Sequence, residues 1–413
     1  MSSWLALSIA ANVALSAPAA QKKVTFDQAI GLSVETPDVR SAERAVGAKR
    51  DMRGRMSTMT SNPQLYVQPG YRVLPAENHG VEVQASVMQS WNLAGLSQAR
   101  TTATRLEETE LSVQARALAL QQRLEAARAW VDLWSAERVF DVVSREAALA
   151  GEFARLVEKA AAASAATKAD SAEARAYHAE ARLGVVSAEG EVFERGLLLA
   201  RVLAAGADPL GSTGDLPLAP VPVGANRRDA LQRASALPAV QLKALEADVQ
   251  RARGAEEKAA RGTSLSVGLF VQRDSPRGFV GFGAVGLTLP MFDRGERERS
   301  VTIARATQLD GETKREQANA VADLAMGLHE VDHSQEVVDT IANAILPPLE
   351  EALSHRTRLF EAGEATMLEV ITARRNVTNA RGRLERARAQ NAWARVKVWL
   401  WLSAIDAKRE TAR

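Results

Sequence analysis

Polar and apolar positions alternate along two short stretches of this chain and follow a helical period along most of the rest. Val81-Glu82-Val83-Gln84-Ala85-Ser86-Val87 and Leu265-Ser266-Val267-Gly268-Leu269-Phe270-Val271-Gln272 step every second residue, the period of a strand with one apolar face and one polar or small face. Each has a partner stretch of about eleven residues, Gln64 to Leu74 before the first and Phe279 to Leu289 after the second. The links, Pro75 to Gly80 and Arg273 to Gly278, carry the Pro, Asn, Asp and Gly of hairpin loops. Two β-hairpins are therefore predicted, over 64–91 and 264–290.

A long helical segment follows each hairpin, Leu96 to about Ala160 and Glu296 to about Leu359. At about 1.5 Å per residue, some 60 residues reach roughly 90 Å, far beyond a globular domain. Val113, Ala117, Leu120, Leu124, Ala127, Val131 and Trp134 step alternately by four and three, a heptad seam. Val370, Ala373, Val377, Ala380, Leu384, Ala387, Asn391, Ala394, Val398 and Trp401 repeat it near the end of the chain. Alanine at many seam positions lets helices approach closely and pack on a broad front. Each long helix turns back at a short break, near Ser164 to Lys168 and at Gly363.

The order of elements is duplicated. Thr25-Phe26-Asp27-Gln28 has the form of a capping box and opens a helix that meets Pro37, with a second helix to about Met56. Arg228-Asp229-Ala230-Leu231 opens a similar stretch that meets Pro238, 201 residues after Pro37, with a charged helix to about Arg261. The domain reading is a signal peptide over 1–19, a first repeat over 20–225 and a second over 226–413. The first holds the hairpin at 64–91, long helices over 96–205 and a linker at 206–225; the second holds the hairpin at 264–290, long helices over 296–402 and a C-terminal tail. The linker is rich in Pro and Gly and reads as an irregular connector with neither strand nor helix.

The signal peptide rests on the uncharged run from Trp4 to Leu15 followed by Ala17-Pro18-Ala19, with cleavage expected after Ala19. The alternative is a buried N-terminal helix, since no Lys or Arg precedes the run. Composition narrows the function. The 413 residues carry 52 basic and 50 acidic side chains and no cysteine. A balance this near neutrality gives no field for nucleic acid, and the absence of cysteine excludes disulfides, thiolate metal sites, cysteine nucleophiles and an N-terminal lipid on cysteine. No apolar run of about 18 residues lies beyond the N-terminal segment, so a helical membrane span is not expected.

Strands of about eleven residues are, however, long enough to cross a bilayer when tilted. Four strands cannot close a barrel, and open edges cannot sit in lipid, so spanning requires several copies. Three copies would supply about twelve strands, an acceptable barrel, with the long helices forming a cylinder beneath it. Val81, Val83, Ala85 and Val87, with Leu265, Val267, Leu269 and Val271, are then expected to face lipid. Glu82, Gln84 and Ser86 are expected to line the lumen.

Two segments carry a family resemblance. Leu289-Pro290-Met291-Phe292-Asp293-Arg294-Gly295 leaves the last strand and opens a charged helix, and Leu359-Phe360-Glu361-Ala362-Gly363-Glu364-Ala365-Thr366-Met367-Leu368-Glu369-Val370 is similar to a turn motif. With the duplicated order of elements, the chain resembles the TolC-like outer-membrane efflux family over nearly all of its mature length. The resemblance implies a mainly α fold with a small β part and two structural repeats. Long antiparallel coiled coils would form a trimeric α-barrel in the periplasm, with four strands per chain entering a 12-stranded outer-membrane β-barrel. It implies a passive exit duct of a tripartite pump, without catalytic residues or cofactor. The implied partners are two further copies, a periplasmic adaptor, an inner-membrane pump and outer-membrane lipid.

Residue by residue, the resemblance places Gly363 at the periplasmic tip and Glu369 near the constriction, where three carboxylates around one axis would favour cations. An ordinary solvated helix acid is the alternative, because the motif sets the place of Glu369 along the helix and not its rotation. In the first repeat Ser164 stands where Gly is usual and Asp170 matches the acidic position. Ala365 and Thr372 stand where the best-known members carry an arginine and a second acid, so a different gate network is expected. Pro290, Phe292, Asp293 and Gly295 mark the strand-to-helix exit. That exit and Leu346-Pro347-Pro348 look similar to members serving heavy-metal pumps.

Other readings were weighed. His329-Glu330-Val331-Asp332-His333 spells the zinc-protease string, but Asp332 puts a charge between the histidines and no third ligand accompanies it. Gly281-Phe282-Gly283-Ala284-Val285-Gly286 spells a dinucleotide fingerprint, yet it lies within a strand pattern and opens no helix. The arginines from Arg374 onward overlie the heptad seam as a charged face, and Trp393, Trp399 and Trp401 read as packing or interface residues. A periplasmic coiled-coil adaptor or envelope scaffold is the other class; it would lack the duplicated hairpins.

Overall fold

The computed structural model describes residues 22–57, 59–72, 80–164, 166–274 and 278–411. The expected signal peptide at 1–19 and most of both hairpin loops lie outside the described residues. The chain forms two compact units, one of 34–122, 220–329 and 397–413 and the other of the remaining described segments, up to Ser33, Arg123–Ala219 and Glu330–Val396.

The first unit holds the only sheet of more than two strands among the described residues. Strands β2 (Gln64–Arg72), β3 (Gly80–Asn92), β5 (Ser264–Asp274) and β6 (Gly278–Thr288) pair antiparallel in that order, so the two hairpins form one sheet through β3 and β5. Both hairpins fall where alternation places them. The flanking helices are α2 (Pro37–Gly54), α5 (Ala225–Gln232), α6 (Pro238–Ala260), the start of α3 (Leu96–Ala162) and most of α7 (Glu296–Asp339). Charged residues link these helices. Glu107 accepts from Lys49 at 2.5 Å and from Arg253 at 2.8 Å, and Arg100 pairs with Glu256 at 3.1 Å.

The second unit contains β1 (Lys23–Val24), α1 (Phe26–Ser33), the rest of α3, α4 (Lys168–Val202), β4 (Gly211–Ser212), the end of α7, α8 (Leu346–Glu361) and most of α9 (Met367–Thr411). Its core gathers Trp130, Leu133 and Leu199, all wholly buried, around Val24 and Ala29. Phe26 meets Trp130 edge-on at 5.5 Å, and Trp130 Nε1 donates to the Val24 carbonyl at 2.8 Å. The expected box at Thr25 is formed in both directions: Gln28 N donates to Thr25 Oγ1 and Thr25 N to Gln28 Oε1.

Two sequence expectations are corrected. The connector at 206–225 is not wholly irregular, because Gly211–Ser212 pairs in parallel with Lys23–Val24, and Glu137 accepts from Ser212 N at 2.9 Å. Two residues are too few to leave a period in the sequence. The long helix expected over 296–359 is interrupted by a π-helical turn at Thr340–Ile345. Pro347 and Pro348 bring no N–H to the turn before them and crowd it, and the wider turn absorbs the misfit. The heptad seam also shows only part of the α3 core. Val113, Ala127, Val131 and Trp134 are buried, and so are Ala126, Trp130 and Leu133 on an adjoining stripe. No helix is long and apolar enough to cross a membrane among the described residues.

Candidate functional site

The sheet has two unlike faces, and the register defines them. Val87 lies opposite Leu65 and Leu269, Ala85 opposite Val67 and Val271, and Trp91 opposite Leu265. The residues expected to meet lipid from both hairpins thus share one face, on which Leu65, Val87 and Leu269 are exposed. On the other face Gln84 lies opposite Gln68 and Gln272, Ser86 opposite Tyr66 and Phe270, and Glu82 opposite Gly70. Phe270 stacks on Phe282 across β5 and β6, with ring centroids 5.0 Å apart. Of the three expected lumen residues, Glu82 and Gln84 are half-buried, while Ser86 is only 6% exposed beside Tyr66 and Phe270. The G-x-G-x-x-G string sits inside β6. Its glycines lie against the backbone carbonyls of Phe270 and Gly268 and the hydroxyl of Ser266 on β5.

Each hairpin leads into its long helix through a polar side chain and a left-handed glycine. Asn92 Oδ1 accepts from Ala94 N at 2.8 Å and Leu96 N at 3.3 Å, while Gly95 has φ +79°. In the second repeat Asp293 Oδ1 accepts from Gly295 N at 3.0 Å, and Gly295 has φ +72°. The Gly295 amide, together with the Arg261 guanidinium, holds the Asp293 carboxyl below its ordinary pKa. Arg261 also donates to Glu298 at 3.0 Å, and Pro290 O accepts from Arg294 Nε at 3.3 Å. Phe292, between them, is 96% exposed. Sequence reading picked out Asp293 and missed Asn92, whose only signal is a short polar residue three before a glycine.

The two turns between long helices are also matched. Two residues beyond the end of α3 stands Ser164, with φ +59°, and two beyond the end of α8 stands Gly363, with φ +77°. Three residues beyond each, a capping box opens the next helix. Asp170 N donates to Thr167 Oγ1 at 3.0 Å and Thr167 N to Asp170 Oδ2 at 2.9 Å. Thr366 N donates to Glu369 Oε2 at 2.8 Å, and Thr366 Oγ1 accepts from Glu369 N at 3.4 Å. The acidic position of the turn motif thus has a local physical reason, since it satisfies amides that a helix start leaves orphaned. The Thr167 hydroxyl and amide depress the Asp170 pKa; the Thr366 amide and hydroxyl, with Arg356, depress that of Glu369. Arg356 on α8 pairs with the second oxygen of Glu369, a partner the motif did not point to.

A further cluster escaped sequence reading. Glu146 on α3 accepts from Tyr177 Oη at 2.5 Å and from Thr378 Oγ1 at 3.2 Å, with Arg374 at 3.7 Å and its guanidinium over Phe153. Burial and the Glu146 carboxylate push the Tyr177 hydroxyl above its ordinary pKa. A lone tyrosine in an alanine-rich helix was the available signal. At the zinc-like string, Gln390 Nε2 donates to Glu330 Oε1 at 2.6 Å. The string is therefore drawn into helix packing. Among the described residues no group of three or more His, Asp or Glu is placed to hold a metal ion.

A four-stranded antiparallel sheet with one apolar and one polar face, in a chain made mostly of long helices, is the fold to be compared. The fold matches solved channels over almost the whole chain. A structure of CusC aligns with a TM-score of 0.76 at 16% identity, covering 95% of each chain. The outer-membrane channel OprN aligns at 0.75 and 16% identity, covering 92% of this chain and 90% of that one. The MtrE channel of Neisseria gonorrhoeae aligns at 0.70 and 16% identity, over 91% and 88%. Residues 225–399 match the family described as outer membrane efflux protein. That match covers most of the second repeat, and over it the chain is similar to this efflux family. The cobalt-zinc-cadmium resistance protein CzcC of Cupriavidus metallidurans is 28% identical over 146 residues. That alignment spans about a third of either protein, 35% of each.

Proposed function

We propose that the protein is the passive exit duct of a tripartite efflux system, working as a homotrimer with a periplasmic adaptor and an inner-membrane pump, and that heavy-metal cations are its substrates. One observation carries the trimer. Among the described residues the four-stranded sheet has free edges at β2 and β6 and one apolar face, and open edges are not tolerated in lipid. Three copies supply the about twelve strands of a closed barrel. In that barrel Glu82 and Gln84, with Ser86 beneath its flanking rings, line the lumen. A coiled-coil adaptor would have no use for a duplicated, two-faced hairpin.

The turns at Ser164 and Gly363 form the periplasmic tip in this reading, and Asp170 and Glu369 lie just inside it. Glu369 keeps its negative charge at neutral pH and is tied to Arg356, so cations meet a paired carboxylate there. Local likeness to a cobalt-zinc-cadmium resistance protein supports the metal assignment. The test is a deletion strain profiled against metal salts and amphiphilic drugs and complemented with the wild-type chain and with Glu369→Gln. Metal sensitivity restored by the wild type is expected, with weaker restoration by the variant. Sensitivity to drugs alone would overturn the metal assignment, and recovery of native protein as a soluble periplasmic monomer would overturn the duct.

A further inference from the structure

We infer that the strand-to-helix exit holds a headgroup site for an anionic phospholipid of the leaflet bordering the helical end of the barrel. The inference rests on the outer-membrane reading above. Where the sheet gives way to α3 and α7, a cleft of about 570 Å³ opens, lined by Lys258, Arg261, Thr263, Arg294, Glu296 and Arg299 among others. Its charge is unbalanced. Arg261 is held by Asp293 and Glu298, whereas Lys258, Arg294 and Arg299 form no ion pair among the described residues, and Glu296 is the one carboxylate among the named lining residues. Arg294 spends one N–H on the Pro290 carbonyl and keeps the rest of its guanidinium for another acceptor.

The second observation is apolar. Leu93, Leu289, Met291 and Phe292 are exposed just beyond the last paired residues of β3 and β6, at the same exits. Exposed apolar side chains around a basic cleft mark a binding surface, and their occupant must also satisfy the cleft. A bilayer boundary offers both chemistries within one headgroup length: acyl chains for the Leu, Met and Phe side chains, and phosphodiester oxygens for Lys and Arg. Guanidinium groups bind such oxygens in pairs. Free inorganic phosphate would satisfy the cleft and leave the collar bare, so the lipid is the occupant that accounts for both.

The full chain is inserted into nanodiscs of phosphatidylcholine with or without phosphatidylglycerol, scored first for insertion by flotation, and then examined by native mass spectrometry for retained lipid. Wild type is expected to retain phosphatidylglycerol in preference to phosphatidylcholine. Lys258→Gln, at an exposed position, should lower that preference roughly fivefold, the equivalent of about 1 kcal/mol for one basic group at an anionic surface. The triple variant Lys258→Gln, Arg294→Gln, Arg299→Gln should abolish it, while Arg182→Gln on α4 leaves it unchanged. Equal retention of the two lipids by wild type, preference surviving in the triple variant, or displacement of the lipid by inorganic phosphate would each overturn the inference. Dissociation of the triple variant into monomers would assign the cleft to a neighbouring copy instead. Failure of wild type to enter the discs would fail the outer-membrane reading itself, and the lipid site with it.

Discussion

The two repeats place the same register of helix in the same unit and fill it with opposite chemistry. Trp130-Val131-Asp132-Leu133-Trp134 and Glu330-Val331-Asp332-His333-Ser334 are 200 residues apart and share the central Val-Asp. In the first, Trp130 and Leu133 are wholly buried and Val131 and Trp134 nearly so. In the second, Val331 and Ser334 are buried, and Asn391 Nδ2 donates to Val331 O at 3.2 Å and to Ser334 Oγ at 3.1 Å. The difference explains the zinc-like string without zinc. It stands where the first repeat builds an apolar core and the second joins its helices through buried polar groups, which must all find partners.

The largest expected effect lies on the apolar side of this comparison. Trp130→Ala should cost about 3–5 kcal/mol, because it opens a cavity and removes one of the two donors to the Val24 carbonyl, leaving Thr213 N; chemical denaturation reads the loss. On the polar side, Asn391→Leu alone should cost about 1–3 kcal/mol by leaving Ser334 without its donor. Adding Ser334→Ala should recover most of that, since both partners are then apolar. A double variant no more stable than the single would show that the network is not the unit of stability there. His333→Ala should leave export unchanged, which the deletion strain reports.

The two turns extend the comparison with smaller numbers. Ser164 occupies a left-handed conformation that glycine adopts freely, so Ser164→Gly should stabilise its turn by up to about 1 kcal/mol, while Gly363→Ala should destabilise its turn by about 1–2 kcal/mol. Amide exchange at 161–170 and 360–369 measures both, and equal signs would refute the matched-turn description. Thr167→Ala and Thr366→Ala should each cost about 1 kcal/mol as lost caps. The smallest effect is titration. Asp170 and Glu369 have folded pKa values below their unfolded ones, so their stabilisation is complete above the ordinary carboxylate pKa and is lost as pH falls through the lower folded value. Both turns should loosen below about pH 4 and be indifferent between about pH 5 and 8, and the caps' Thr→Ala variants should flatten that response.

Much of this was legible because the decisive patterns are local. Alternation located all four strands of the sheet and assigned their two faces, since a strand's side chains change sides at every residue and one face had to be apolar. Gly295 at the strand-to-helix exit, Gly363 at the turn and the capping box at Thr25 were legible for the same kind of reason. Other features left no trace. Asn92 and Arg356 are single polar residues whose partners are chosen by packing. The two-residue strand at Gly211–Ser212 has no room for a period, and Trp130 lies off the heptad seam that drew attention to Trp134.

By itself the sequence determined the duplicated order of elements, the strand lengths and faces, the turn positions and the absence of cysteine chemistry, all set by backbone preference and by which side of an element is apolar. Only the tertiary structure decided that the hairpins join through β3 and β5, that Glu369 is shared between a cap and Arg356, and that Lys258, Arg294 and Arg299 converge on one cleft. Those depend on which distant segments meet, and no periodicity along a single strand or helix encodes the identity of its neighbour.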